Sequence, residues 1–315
     1  MLFTPEVLTI LILNTLFALF AIVAFVLSVK IFLNWNINST SATQYELEKQ
    51  SFLASTIIKY IFSIKVPLFL FFIFALDKIS NVITGAMCAA GVVDATQTGT
   101  YLIILKIINL YLFAYWLKLH NQDMLSKNQP YTKLKFGLFI LFFLFLMVEI
   151  VLEFTMFQSI EIDKMVSCCG SIYSSSSTSA ISTLFTLDHS ILLSIFYTNY
   201  LVMFIFYIFK NRYLFSLANI IFIPVSLVSL ILFFGTYIYE LPSHHCPFCF
   251  LQGDYYYVGY LIYFLLFMGT FQGLALGFVK ESNRSYKISL FFNSVYVILL
   301  SLYVALYYIK NGVFL

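Results

Sequence analysis

FGLFILFFLFLMVEIVLEFTMF, residues 136–157, carries only two charges, Glu149 and Glu153. It shows no apolar–polar alternation, so it is not the ten-residue zigzag of a barrel strand. An unbroken apolar run of about 20 residues can cross the hydrocarbon core as a helix, which satisfies its own backbone there. The two glutamates stand four apart and so share one helix face. Seven other runs have the same character: 7–29, 56–76, 100–119, 190–209, 216–239, 256–279 and 288–309. The run 56–76 is the least regular, because Lys59 and Lys65 interrupt it and Pro67 can kink it. Pro224 can kink 216–239 in the same way.

Composition agrees. Hydrophobic residues make up 62% of the 315-residue chain and charged residues 10%, against about 25% charged in a soluble domain. The expected fold is an all-α, polytopic integral membrane helix bundle of about eight transmembrane helices. It is expected to be a single transmembrane domain over 1–315, with short outer loops that carry Cys and His. The amino-terminal run has one early charge, Glu6, and stays apolar to about Leu33, so it reads as a first span and not as a signal peptide. The net charge of +3 is spread over loops and forms no basic face, which argues against nucleic acid as a partner.

Lys and Arg orient the spans. Lys30, Lys49 and Lys59 follow the first span; Lys118, Lys127, Lys133 and Lys135 follow the third; Lys210 and Arg212 follow the fifth; Lys280, Arg284 and Lys287 follow the seventh. The alternate loops hold only Lys78 and Lys164, with Lys310 near the carboxyl end. Both termini are therefore expected to be extracytoplasmic, at the periplasm or exterior of a bacterial inner membrane. The same assignment puts all five cysteines outside: Cys88 after span two, Cys168 and Cys169 after span four, Cys246 and Cys249 after span six. His189, His244 and His245 lie on that face too. The outer loop 158–189 contains SSSSTSAIST, which reads as a flexible connection.

The densest chemistry is HHCPFC, residues 244–249. Thiolate and imidazole together are ordinary ligands for copper, zinc or iron. Adjacent residues rarely reach one ion together, so one of His244 and His245 is expected to join Cys246 and Cys249. Cys168, Cys169 and Cys88 are placed to complete the shell from other hairpins, with Met87 and Met165 as soft neighbours. The vicinal pair Cys168–Cys169 makes a strained disulfide and suits a ligand pair better. The C-x-x-C also precedes the seventh span, where a helix amino terminus favours thiolate. The plain alternatives are a Cys246–Cys249 disulfide and solvated histidines.

The Cys-Pro-Phe-Cys tetrapeptide resembles the active-site motif of thioredoxin-like oxidoreductases, although no βαβ pattern surrounds it. A C-x-x-C at the outer end of a span, with a further cysteine pair in another loop, also resembles the vitamin K epoxide reductase type of membrane enzyme. This chain has twice the spans, and its second pair is vicinal. The resemblance implies a thiol–disulfide role in which Cys246 attacks, Cys249 resolves, and Cys168 and Cys169 relay electrons.

Lys106 falls within the third span at a depth that overlaps Glu149 and Glu153. Such charges cost several kcal/mol unless they pair or meet water, so a buried pair or a proton relay is expected, with snorkelling as the bland alternative. Gly269, Gly273 and Gly277 form a small-xxx-small row for close helix packing. Tyr255, Tyr256, Tyr257 and Tyr260 read as interfacial anchors. No Walker loop, dinucleotide fingerprint, H-E-x-x-H or haem-attachment motif is present.

Three functions remain open on these residues. The first is an extracytoplasmic Cys/His site that handles a soft or borderline metal ion, with a redox or metal-carrier protein as partner. The second is a membrane thiol–disulfide oxidoreductase. The third is a transporter, or a structural subunit among other membrane subunits, with disulfide-stapled loops.

Overall fold

The computed structural model describes residues 4–36, 39, 41–126, 129–160, 188–278 and 282–315. Among them there is helix and no strand, and eight helices are long and apolar enough to cross a membrane. The protein is an integral membrane protein by this measure: large apolar side chains such as Leu19, Phe20 and Val26 face outward along the helices, where only lipid makes them inexpensive. The chain divides into two compact units, Met1–Ile83 with Val92–Lys164, and Thr84–Gly91 with Met165–Leu315.

The first unit is a four-helix bundle of α1 (Pro5–Asn34), α2 (Ala42–Ser80), α4 (Gly99–Leu125) and α5 (Thr132–Gln158). The short helix α3 (Ala89–Asp94) leads into it. Contacts run α1–α2, α2–α4, α4–α5 and α5–α1, closing a ring. Its core is aromatic: Phe62 stacks on Phe113 at 4.2 Å and meets Trp116 edge-on at 5.6 Å. Helix α2 starts well before the apolar run does. Ser41 caps it by accepting from Gln44 N at 3.3 Å. Its 39 residues reach about 58 Å at 1.5 Å each, so a polar first third projects beyond a core about 30 Å thick. Pro67 is accommodated inside the helix.

The α4–α5 turn is tied by Asp123, which is fully buried. It accepts from Tyr131 N at 2.8 Å, Thr132 Oγ1 at 3.0 Å and Lys135 Nζ at 2.6 Å. Lys118, Lys133 and Lys135, expected in the loop, belong to the helices instead, and Lys135 is buried.

The second unit has a ring of its own: α6 (His189–Ile208), α7 (Arg212–Ser229), α9 (Val258–Leu276) and α10 (Asn283–Asn311). Helix α7 continues through a π-helical turn, Leu230–Phe234, into α8 (Gly235–Tyr239). A π-turn carries an extra residue and loosens the carbonyl ladder. Asp188 caps α6 through Ser190 N at 2.9 Å, and Asn211 caps α7 through Leu214 N at 3.2 Å. The glycine row on α9 brings backbones together as its spacing predicts. Gly269 lies against Asn293 of α10, Gly273 against Asn219 and Gly277 against Ser216 of α7. A methyl group at Gly273 would enter the space of the Asn219 amide. The gap is closed by polar bonds, Asn293 Nδ2 to Asn219 Oδ1 at 3.0 Å and Ser216 Oγ to Leu274 O at 2.8 Å, the interhelical hydrogen bonds that supply cohesion in lipid.

Candidate metal centre

Two tips of the second unit meet. Residues 84–91 form one, and Cys88 sits at its end, directly before α3. The link from α8 to α9 forms the other, with Cys246 and Cys249 in it. The three sulfurs all lie within 4.8 Å of one another. Cys88 Sγ and Cys246 Sγ are 3.4 Å apart, well beyond the about 2.05 Å of a disulfide bond. Cys88 and Cys246 are fully buried and Cys249 is nearly so. Three sulfurs bound to one ion at about 2.3 Å stand roughly 3.8–4.0 Å apart, which the spread found here brackets.

The Cys246–Cys249 tip is held by tyrosines. Tyr239, the last residue of α8, donates its hydroxyl to Cys246 O and accepts from Phe250 N at 3.1 Å. Tyr263 of α9 donates to Pro247 O at 2.6 Å. Cys249 opens a short 3-10 turn, Cys249–Leu251, which packs on Gly259 in the first turn of α9. A Cβ on Gly259 would stand 2.6 Å from Phe250 Cδ2 and 2.9 Å from Phe250 O, so glycine is what admits the turn. Gln252 Nε2 donates to Met87 O at 3.2 Å and ties the two tips.

The C-x-x-C precedes the seventh span, as the sequence places it, but does not cap it. Helix α9 starts at Val258, two 3-10 turns later. The N–H near a thiol is that of Phe248, 3.5 Å from Cys246 Sγ. Met87, expected as a soft neighbour, is 71% exposed beside a fully buried Cys88.

The two histidines part company. His245 Nδ1 lies 3.0 Å from Ile231 O, in the π-turn, and so is engaged with the carbonyl ladder that this turn loosens. The His244 ring packs edge-on against Tyr239, centroids 4.3 Å apart. Its Nε2 is buried without a hydrogen-bond partner among the described residues. Burial pulls the His244 pKa below its ordinary value of 6.5, partly opposed by the nearby Cys88 thiol and reinforced by His245. Burial lowers the His245 pKa too. Both imidazoles are therefore neutral at pH 7, the form in which nitrogen binds a metal.

Cys168 and Cys169, with Met165, lie outside the described residues. Lys106, Glu149 and Glu153 come together with one another, but in the first unit, whereas the thiols belong to the second. Sequence reasoning left aside Lys65, Asn14 and Asn109, which join that charge cluster. Their signal was polarity inside a spanning run. It also missed Tyr239, which nothing distinguishes from the chain's other 22 tyrosines, given 23 in all. No protein-family model, curated protein or solved structure matches this chain.

Proposed function

We propose that the second unit binds and hands on a soft or borderline metal ion, copper, zinc or iron, at an extracytoplasmic surface. Cys88, Cys246 and Cys249 are the ligands; His244, whose nitrogens lie outside the group the three sulfurs form within 4.8 Å, would have to move inward to serve as a fourth donor. The supporting observation is the convergence of three buried thiols from tips 158 residues apart in the chain. Buried sulfur clustered in this way suits thiophilic ions. Loop parity supports one shared face, because Cys88 follows two spans and Cys246 follows six. The Lys and Arg bias supports that face being the non-cytosolic one. A periplasmic metal-carrier protein is the partner this reading requires.

The test is metal analysis of the full-length protein purified in detergent under reducing conditions. We expect one zinc or copper(I) ion per chain, held against a chromophoric chelator. Cys88→Ser and Cys246→Ser each abolish it, and His244→Asn weakens it. Reduced protein that takes up no stoichiometric metal overturns the reading, as does a Cys88→Ser variant that binds like wild type.

The 3.4 Å approach of Cys88 to Cys246 favours a second reading, thiol–disulfide exchange. There Cys246 thiolate would attack a partner disulfide, and Cys88 would then displace the partner thiol. Both electrons would come from these two thiols. Trapping in graded redox buffers decides it: a Cys88–Cys246 bond that never forms, or never opens, removes this reading.

A further inference from the structure

Each spanning helix of the first unit sends one or more polar side chains to a single buried cluster. Lys65 Nζ on α2 donates to Asn14 Oδ1 of α1 at 2.8 Å and to Glu149 Oε1 of α5 at 3.0 Å. Lys106 Nζ on α4 donates to Glu149 Oε1 and Glu153 Oε2, both at 2.9 Å, and lies 4.3 Å from the centroid of the Phe72 ring. Asn14 Nδ2 donates to Glu153 Oε2 at 2.9 Å, and Asn109 Nδ2 to Glu149 Oε2 at 2.6 Å. All six residues are at most 5% exposed. Two ammoniums and two carboxylates cancel formally, which is what makes the cluster tolerable inside a bilayer.

The two carboxylates are not equivalent. Glu149 accepts on both oxygens, from Lys65, Lys106 and Asn109. Glu153 accepts on Oε2 alone, and its Oε1 is buried with no partner among the described residues. Asn109 Oδ1 is a second buried acceptor without a donor there. A cavity of about 10 Å³ adjoins Asn109, walled partly by Lys65, Lys106 and Glu149, with room for no more than one water. The cluster is thus short of donors at Glu153. A buried ionised oxygen that lacks a donor is unfavourable. One proton on Oε1 removes the charge from that orphan acceptor, while Oε2 goes on accepting from Asn14 and Lys106.

We propose that Glu153 is an intramembrane proton-binding site of the first unit, loaded and unloaded on Oε1 while Glu149 stays ionised between the two lysines. Loading is simple protonation: one O–H bond forms, none breaks, and the cluster passes from neutral to +1. The groups that face Glu153 are Lys106 from α4, Asn14 from α1, Lys65 of α2 through Asn14 and Glu149, and Glu149 itself one turn earlier. The added charge falls on the bridge that Lys106 makes between the two carboxylates, so α4 and α5 feel it directly. Proton exchange between spanning helices is how carriers couple a proton gradient to movement of cargo. The inference is independent of the metal reading.

The experiment is infrared difference spectroscopy on the full-length protein in lipid nanodiscs, as pH falls from mildly alkaline to mildly acid. A carbonyl stretch of a neutral carboxylic acid should grow, shift in heavy water, disappear in Glu153→Gln and move but persist in Glu153→Asp. Identical spectra for wild type and Glu153→Gln overturn the assignment, as does loss of the band in Glu149→Gln with Glu153 intact. A band of fixed intensity at every pH overturns it too, since a proton that never leaves couples nothing. If Glu153→Gln does not fold, Glu153→Asp decides alone, and an unmoved band refutes the site.

Discussion

Lys106→Met removes one ammonium from the charge cluster and keeps most of the stem volume. Two charge-assisted bonds of 2.9 Å disappear with it. Glu149 retains Lys65, but Glu153 is left with the Asn14 amide as its only donor among the described residues. Breaking a buried pair by removing one partner costs about 3–5 kcal/mol, mostly as the desolvation of the charge left behind. For a bundle of this unit's size, about 2–4 °C of melting temperature follows each kcal/mol, so the variant should melt roughly 6–20 °C below wild type. The double variant Lys106→Met/Glu153→Gln removes a charge of each sign. It leaves Lys65 and Glu149 as a neutral pair, while the amide introduced on α5 can donate where the carboxylate could not. The double variant should recover at least half of the loss. Thermal unfolding followed by size-exclusion chromatography in detergent reads both. A single variant within about 2 °C of wild type would mean that the cluster is open to water. A double variant worse than the single would mean that charge balance is not what holds it.

The sulfur site yields two further expectations. Gly259→Val places a branched side chain where a bare Cβ already meets Phe250 and Leu251 at 2.6–2.9 Å; the Cys249 turn must shift, and metal affinity measured by chelator competition should fall at least tenfold, a cost of about 1.4 kcal/mol, whereas unchanged affinity refutes the packing argument. Tyr239→Phe removes the hydroxyl from Cys246 O and Phe250 N, at about 1–3 kcal/mol for each buried group left unsatisfied, so the metal-free protein should melt lower than wild type; equal melting temperatures would show that water or another donor replaces the hydroxyl.

The eight spans were legible because length and apolarity alone define them, and Phe139 and Leu146 need no partner to announce a bilayer. Helix ends were less legible. The first third of α2, through Glu46, Glu48 and Lys49, is polar and escapes a hydropathy reading, yet it is continuous helix. Lys135 reads as a loop charge until Asp123, twelve residues away, is seen to bury it. Loop parity put Cys88 and the C-x-x-C on one face, but only coordinates supply the distance between their sulfurs. The different surroundings of His244 and His245 could not be read from sequence, because His245 meets the carbonyl of Ile231 in a π-turn that leaves no mark on residue type. The charge cluster was half legible. Glu149 and Glu153 share a face by spacing and meet Lys106 by depth, but Lys65 sits in the least regular span and the role of Asn14 depends on which face of α1 turns inward.

Charge narrows the candidate metal centre beyond its sulfur count. Three thiolates carry a formal −3, and His244 adds nothing because burial keeps its imidazole neutral. The rings packed around the tip are Tyr239, Phe250, Tyr255 and Tyr263, none of them a cation. A divalent ion leaves −1 on the site, and copper(I) leaves −2. Residual charge is costly where the sulfurs are this buried. Copper(I) therefore requires at least one of the three thiols to keep its proton, whereas zinc or iron(II) can use all three as thiolates. The proposed handover also requires that the ion be released. The tip that bears Cys246 and Cys249 is held by tyrosine hydroxyls and a glycine contact, and tied to the Cys88 tip through Gln252. Parting the two tips would take Cys88 away from the ion and leave a weaker Cys246–Cys249 pair. On the proposed reading, exchange with a partner has an order, with Cys88 the first ligand to leave.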